Sequence, residues 1–105
     1  MESRYQFGSI ELARNAAVAW LEARGVAFGP HRRVEIGRLG VLAGHEVGVR
    51  ATEKPFWRLR LDYDPLKGPH FNAEYGENAA RAKAAFTFPG TEDVVRRLAG
   101  SRRPR

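Results

Sequence analysis

The stretch that decides the fold is WRLRLDYDPLKGPHFNAEY, residues 57–75. It begins as a strand in which apolar and polar residues alternate. It breaks at DPLKGP, a turn with two prolines and a glycine, and then resumes as a second alternating strand. Successive side chains of a strand point to opposite faces of its sheet. The pattern therefore predicts an antiparallel hairpin with one apolar face and one polar face.

The numbering of the two arms restricts how they pair. Apolar positions are odd-numbered in both arms, and polar positions are even-numbered. A register in which opposed residue numbers have an even sum keeps both faces intact, whereas an odd sum would place charges in the core. We therefore predict an apolar face formed by Trp57, Leu59, Leu61, Tyr63, Phe71, Ala73 and Tyr75. The polar face would carry Arg58, Arg60, Asp62, His70, Asn72 and Glu74.

The segments before the hairpin predict a helix and two strands. Residues 9–24 have helical spacing of apolar residues, with Ser9 as the N-cap and Gly25 as the stop. Residues 34–36 and 47–51 alternate over short lengths, which is typical of strands.

The segments after the hairpin predict one more strand, AAFTF at residues 84–88, and a last helix that Thr91 caps and Gly100 ends. The order predicts an α+β fold, with an N-terminal helix packed on a four- to five-stranded antiparallel sheet and a short C-terminal helix. Residues 1–100 would form one domain, followed by a basic tail at 101–105.

Composition narrows the classes of function. The 105 residues include 18 Lys and Arg against 12 Asp and Glu, so the net charge is +6. A polyanion is therefore the first partner to consider, although the same surplus also suits plain solubility. The absence of cysteine excludes disulfides, thiol catalysis and cysteine-based zinc sites. The three histidines lack metal-ligand spacing and no apolar run suits a membrane span, so we expect no metal, cofactor or membrane partner.

The polar face of the hairpin contains the groups that metal-free RNA cleavage requires. The reaction needs a base for the 2′-hydroxyl proton, cations for the charged phosphorane, and an acid for the departing 5′-oxygen. His70 can act as acid or base. Arg58 and Arg60 suit phosphate contacts, Asp62 would lie near His70 and orient its ring, and Lys67 on the turn would reach a phosphate. Because His70 ends a turn, we expect its side chain to be accessible.

The same pattern has a simpler interpretation. Charged residues on one face of an alternating strand are typical of any half-exposed antiparallel sheet. In that case Glu74 opposite Arg58 is an ordinary cross-strand ion pair, and Tyr63 and Tyr75 belong to the core.

The stretch LDYDPLKGPHFNAEYG followed by AFTFPGTEDVVRRL resembles the C-terminal toxin domains of bacterial polymorphic toxins. Those domains often show a KGPH element followed by a strand that ends in a PFPGTE-like turn. The resemblance covers about residues 58–98. Many such domains are nucleases, and several adopt the ribonuclease fold of barnase and RelE, which has an N-terminal helix on an antiparallel sheet.

The resemblance implies roles for four residues. His70 matches the histidine of the motif, Asn72 the polar position after it, and Lys67 the lysine before the glycine; Thr87 would supply a hydroxyl on a late strand. No second histidine is near His70, so the second acid/base role falls to Asp62, Glu74, Lys67 or a hydroxyl.

The resemblance also implies partners and a setting. The partners would be RNA and an acidic immunity protein. The domain would be secreted as part of a larger polypeptide and would act in the cytoplasm of a target cell.

We therefore predict an RNA-cleaving toxin domain that needs no metal. The alternatives are a nucleic-acid-binding module without chemistry and a structural or interaction domain. A deoxyribonuclease, a further alternative, would lose its activity to a chelator.

Overall fold

The computed structural model describes residues 2–29, 32–36, 42 and 44–99. Its elements in chain order are β1 (Glu2–Gln6), α1 (Ile10–Glu22), β2 (Arg32–Ile36), β3 (Glu46–Ala51), β4 (Trp57–Asp64), β5 (Gly68–Tyr75), β6 (Ala82–Thr87) and α2 (Glu92–Leu98), with a short 3-10 turn at Asn78–Ala80. The strands form one six-stranded sheet in the order β1-β6-β5-β4-β3-β2. All neighbouring strands are antiparallel except β1 and β6, which are parallel.

The α+β class is as predicted, but the expected sheet of four to five antiparallel strands is wrong in two respects. The sheet has a sixth strand, β1, and this strand pairs in parallel. The sequence of β1 is ESRYQ, and four of its five residues are exposed. It has no apolar alternation because neither of its faces is buried, so its sequence does not carry the signal by which strands are recognised.

The hairpin has the predicted register. Trp57 lies opposite Tyr75, and Asp62 lies opposite His70, so every opposed pair has an even sum. At the turn, the Asp64 carboxylate accepts hydrogen bonds from two backbone N–H groups, those of Leu66 at 2.7 Å and Lys67 at 3.3 Å. These bonds, Leu66 first, lower the pKa of Asp64.

Both helices pack against the apolar face of the sheet. Helix α1 contacts β4, β5 and β6, and α2 contacts β4 and β5. The fully buried residues of the two helices are Ala13, Ala17, Leu21 and Val95. Apolar side chains of β4, β5 and β6 complete the core from the sheet side: Trp57, Leu61, Phe71, Ala73, Ala84 and Phe86.

The predicted helix ends are largely as observed. Ser9 caps α1 by accepting a hydrogen bond from Leu12 N, and Gly25 follows the helix with a φ of +94°. Thr91 caps α2 through Val94 N. Helix α2 ends at Leu98. The predicted stop at Gly100 and the tail at 101–105 lie outside the described residues.

One glycine marks a close approach between strands. A β-carbon added at Gly48 of β3 would lie 2.0 Å from the backbone oxygen of Leu59 on β4. Only glycine fits there.

Neither of the two helices in the described ranges has the length and apolar composition required to cross a membrane.

Candidate nucleic-acid interface

The face of the sheet opposite the helices is the candidate interface. Since α1 and α2 both pack on the apolar face, no helix of the described residues covers the other face, which we call the open face. The polar side chains of the hairpin point to this face, as predicted from their even numbers. The registers of the other strands extend it from β2 at one edge to β1 at the other.

One line of directly opposed residues crosses all six strands on the open face. In sheet order from β2 to β1 it consists of Arg33, Arg50, Arg58, Glu74, Lys83 and Glu2, which we call the charged row. Its first three members are arginines on three adjacent strands. Like charges placed directly opposite each other destabilise a sheet, so stability alone does not favour this arrangement.

Glu74 is the carboxylate at the centre of the charged row, and its residue is only 7% exposed. Arg58 holds one carboxylate oxygen, through Nε at 3.1 Å and through Nη2. Arg81 Nη1 lies 3.4 Å from the other oxygen. Burial is the largest single influence on the pKa of Glu74 and raises it, but the hydrogen bond and charge of Arg58, with the charges of Lys83 and Arg81, outweigh it and lower the pKa. The predicted Arg58–Glu74 ion pair is therefore confirmed.

Guanidinium groups surround the ring of Phe56, immediately before β4. Arg81 lies 4.3 Å from the ring centroid, Arg50 5.4 Å and Arg58 5.8 Å. Each cation over an aromatic ring contributes about 0.5–1 kcal/mol at an exposed site. The backbone N–H of Phe56 donates to Glu77 Oε1 at 3.1 Å. The ring thus concentrates three positive charges at one end of the open face.

Five residues of the charged row and of the group around Phe56 were not predicted from the sequence, because they lie outside the hairpin. They are Arg33, Arg50, Phe56, Arg81 and Lys83. A signal was present in the alternation of the neighbouring strands. In EVGVRA of β3, Val47 and Val49 define the apolar side and leave Arg50 on the other. The pairing partners of these strands could not be read from the sequence.

Four of the predicted site residues form a second group on the open face, which we call the polar network. Arg60 Nε donates to Asp62 Oδ2 at 2.6 Å, and Asn72 Nδ2 donates to the same oxygen at 2.6 Å. Asn72 Nδ2 also lies 3.3 Å from His70 Nε2, and His70 Nδ1 lies 3.0 Å from the Gly68 carbonyl oxygen. A histidine with a proton on Nδ1 satisfies both ring contacts, since Nδ1 then donates and Nε2 accepts.

His70 differs from the expectation in accessibility. The residue is only 3% exposed, so the prediction of an accessible side chain at the end of the turn is wrong. Position 70 is the third residue of β5, where β4 flanks it on one side and β6 on the other. Asp62 does lie opposite His70, as predicted. Its oxygen is held by Arg60 and Asn72, however, and the group that orients the ring is the Gly68 carbonyl.

The other two predicted residues lie at the border of the polar network. Thr87 of β6 is directly opposite His70, and its hydroxyl donates to the Tyr5 carbonyl at 3.2 Å. Lys67 pairs with Glu2 at 3.3 Å. This ion pair joins the β4–β5 turn to β1, although β6 separates β5 from β1 in the sheet.

Within the described part of the chain, no group of three or more His, Asp or Glu residues could hold a metal ion. A scan against protein-family models finds no match to the sequence, and a search of curated proteins finds no significant match.

Proposed function

We propose that the domain binds RNA on its open face and cleaves it without a metal ion, as a toxin domain. The observation that carries this proposal is the charged row. Arg33, Arg50 and Arg58 are directly opposed on three adjacent strands, at a cost to the sheet that a polyanionic ligand would remove.

The chemistry of the open face suits RNA. Arginine forms bidentate contacts with phosphate oxygens, so a row of arginines across several strands offers a track for a phosphate backbone. An aromatic ring beside such a track is typical of surfaces that bind single strands, where bases stack on side chains. Phe56 occupies that position between Arg58 and Arg81.

His70 is the proposed base. A proton on Nδ1, donated to the Gly68 carbonyl, leaves Nε2 with a free electron pair. Nε2 takes the proton of the 2′-hydroxyl, the 2′-oxygen forms a bond to phosphorus, and the bond from phosphorus to the 5′-oxygen breaks. The departing oxygen receives a proton from a second group, for which Asp62, Lys67 and Thr87 are the candidates; the lowered pKa of Glu74 leaves that carboxylate ionised and without a proton to give. RNA must displace the Asn72 amide, whose contact with Nε2 is long at 3.3 Å.

The experiment compares an RNA oligonucleotide with its 2′-deoxy analogue in the presence of EDTA. The proposal expects cleavage of the RNA alone, because the 2′-hydroxyl is the nucleophile, together with salt-dependent binding of both. His70→Asn keeps a side-chain N–H for Gly68 and removes the base. It should lower cleavage by roughly 100-fold or more. Cleavage that EDTA abolishes, or cleavage of the deoxy analogue, would contradict the mechanism.

A second candidate is RNA binding without cleavage. The observation that favours it is the burial of His70, together with the partners of both its ring nitrogens. In this case wild-type protein binds both oligonucleotides with the same dependence on salt and leaves the RNA intact.

The proposed protein partner is an acidic immunity protein that covers the charged row. Its carboxylates would face the arginines of β2, β3 and β4, so it would compete with RNA for the open face. A competition assay between an RNA and a candidate acidic protein tests this. Arg50→Gln should weaken both interactions.

A further inference from the structure

A pocket lies at the end of the sheet where the connection between β3 and β4 meets the chain that follows α1. Val26, Ala51 and Trp57 are buried and form its floor, while Tyr75 is half-buried and lines it from β5. Glu53, Lys54 and Pro55 form its exposed side. The cavity measures about 140 Å³.

This pocket lies at the same end of the hairpin as Arg58 and Glu74 of the charged row, but on the helix side of the sheet rather than on the open face. Trp57 and Tyr75 are directly opposed in the hairpin, and each is next in sequence to a residue of the charged row, Arg58 and Glu74 respectively. The backbone N–H of Gly76 donates to the Phe56 carbonyl at 2.8 Å, and Arg81 Nε donates to the Gly76 carbonyl at 3.3 Å. Arg81 therefore connects the end of the hairpin that borders the pocket with the carboxylate at the centre of the charged row.

We propose that this pocket binds a pyrimidine base of the RNA whose phosphates lie on the charged row. The inference rests on the proposed function and adds base preference to it. Arg81 and Arg58 would hold a phosphate at the end of the hairpin. The base of the same or the next nucleotide would then turn around that end into the pocket.

The size of the pocket selects a single ring. An engineered protein cavity of about 150 Å³ accommodates benzene. A pocket of about 140 Å³ thus suits one six-membered ring, and the second ring of a purine would extend outside it. The half-buried ring of Tyr75 offers a stacking surface of the kind that RNA bases use on single-strand binding proteins, while buried Trp57 contributes apolar surface to the floor.

The polar groups at the exposed side complement a pyrimidine edge. Lys54 supplies a donor for a ring carbonyl. Glu53 also lines this side, and to accept from the N3–H of uracil or the exocyclic amine of cytosine its carboxylate would exchange its present interaction within the protein. A pocket with aromatic faces and both kinds of polar group matches a base better than it matches a hydrocarbon.

The test uses labelled twelve-nucleotide homopolymers of uridine, cytidine and adenosine with 2′-fluoro sugars, which prevent cleavage. Wild-type protein should bind the two pyrimidine polymers at least about tenfold more tightly than the adenosine polymer. Tyr75→Leu should reduce this preference to about twofold or less and keep the salt dependence. Tyr63→Leu is the matched control, because Tyr63 is also half-buried on the apolar face of the hairpin but does not line the pocket.

Two outcomes overturn the inference and are distinct. Equal affinity for all three polymers, with steep salt dependence, shows that RNA binding stands and that the pocket has no base preference. Failure of every polymer to bind at low salt removes the proposed function and this inference together. A second test uses only the wild-type protein. In an NMR titration, uridine monophosphate should shift the indole N–H resonance of Trp57, and adenosine monophosphate should shift it much less.

Discussion

Arg50 of β3 lies directly opposite Arg58 of β4, and both guanidinium groups lie within 6 Å of the Phe56 ring centroid. Arg33 extends the same line onto the edge strand β2. Glu74 accepts hydrogen bonds from Arg58 and Arg81, so one buried carboxylate is shared by several cations. Positive charge therefore exceeds negative charge in this part of the open face. Directly opposed like charges by themselves destabilise a sheet, so stability alone does not account for this arrangement.

Replacing Arg33 by threonine should separate binding from stability. Loss of one opposed like charge should leave the melting temperature unchanged or slightly raised, since threonine suits an edge strand. The affinity for RNA should fall, and the slope of log K against log salt should decrease by about 0.7 for one lost phosphate contact. The measurements are anisotropy titrations at several salt concentrations and a thermal melt. Arg14→Gln, on the exposed side of α1, is the control and should change neither. An unchanged salt slope for Arg33→Thr would remove Arg33 from the interface.

Gly48→Ala should destabilise the domain strongly. The new β-carbon would meet the backbone of β4 at 2.0 Å, and backbone cannot move as a side chain can. Overpacking of this kind costs about 1–3 kcal/mol or more. Gly8→Ala is the matched control, because no atom lies within 4 Å of its added β-carbon. Denaturant unfolding of both variants checks this. Equal stability of the two would show that β3 and β4 do not approach as described.

The features of the fold that could be predicted from the sequence are those formed by residues close together in the chain. The hairpin register depends on alternation within nineteen residues, and parity alone determines which side chains share a face. The pairing of β1 with β6 joins residues about 80 positions apart, and the exposed side chains of β1 give no apolar pattern. The burial of His70 likewise depends on the pairing of β6 with β5, and alternation in the sequence did not determine that pairing.

The same holds for the candidate site: the residues contributed by the hairpin could be predicted from the sequence, and those contributed by other strands could not. Asp62, His70 and Asn72 are on one face because they belong to one hairpin. Arg81 and Lys83 reach Glu74 only because β6 pairs with β5. A cluster built from several strands requires the register of every strand pair, and the alternation pattern determined only the register of the β4–β5 hairpin.

Glu74→Gln should affect stability and RNA binding in opposite directions. At neutral pH the variant loses the charge-assisted hydrogen bonds to Arg58 and Arg81 and should be less stable by about 1–3 kcal/mol. RNA affinity should rise, because a negative charge leaves the charged row. Glu22→Gln, at the exposed end of α1, is the control for charge alone.

The stability difference between wild type and Glu74→Gln should depend on pH. The folded pKa of Glu74 is lowered, so its contribution is complete above the ordinary pKa of a glutamate, about 4.3. The contribution is lost as the pH falls through the lowered folded pKa. Melting temperatures measured from pH 7 down to pH 2 should therefore converge at the acid end. A gap that stays constant over this range would show that the ion pair does not stabilise the fold.

Replacement of His70 by alanine should cost both stability and cleavage, and the two losses can be separated. The side chain is almost fully buried, and its removal leaves the Gly68 carbonyl and the Asn72 amide without a partner on that side. An unsatisfied buried polar group costs about 1–3 kcal/mol. For a domain of this size that lowers the melting temperature by roughly 5–20 °C.

His70→Asn retains an N–H that can reach the Gly68 carbonyl, so it should melt closer to wild type. Both variants should lose the cleavage of RNA that the wild-type protein shows in the presence of EDTA. If His70→Asn is folded at the assay temperature and cleaves RNA at the wild-type rate, His70 is structural and the base lies elsewhere on the open face.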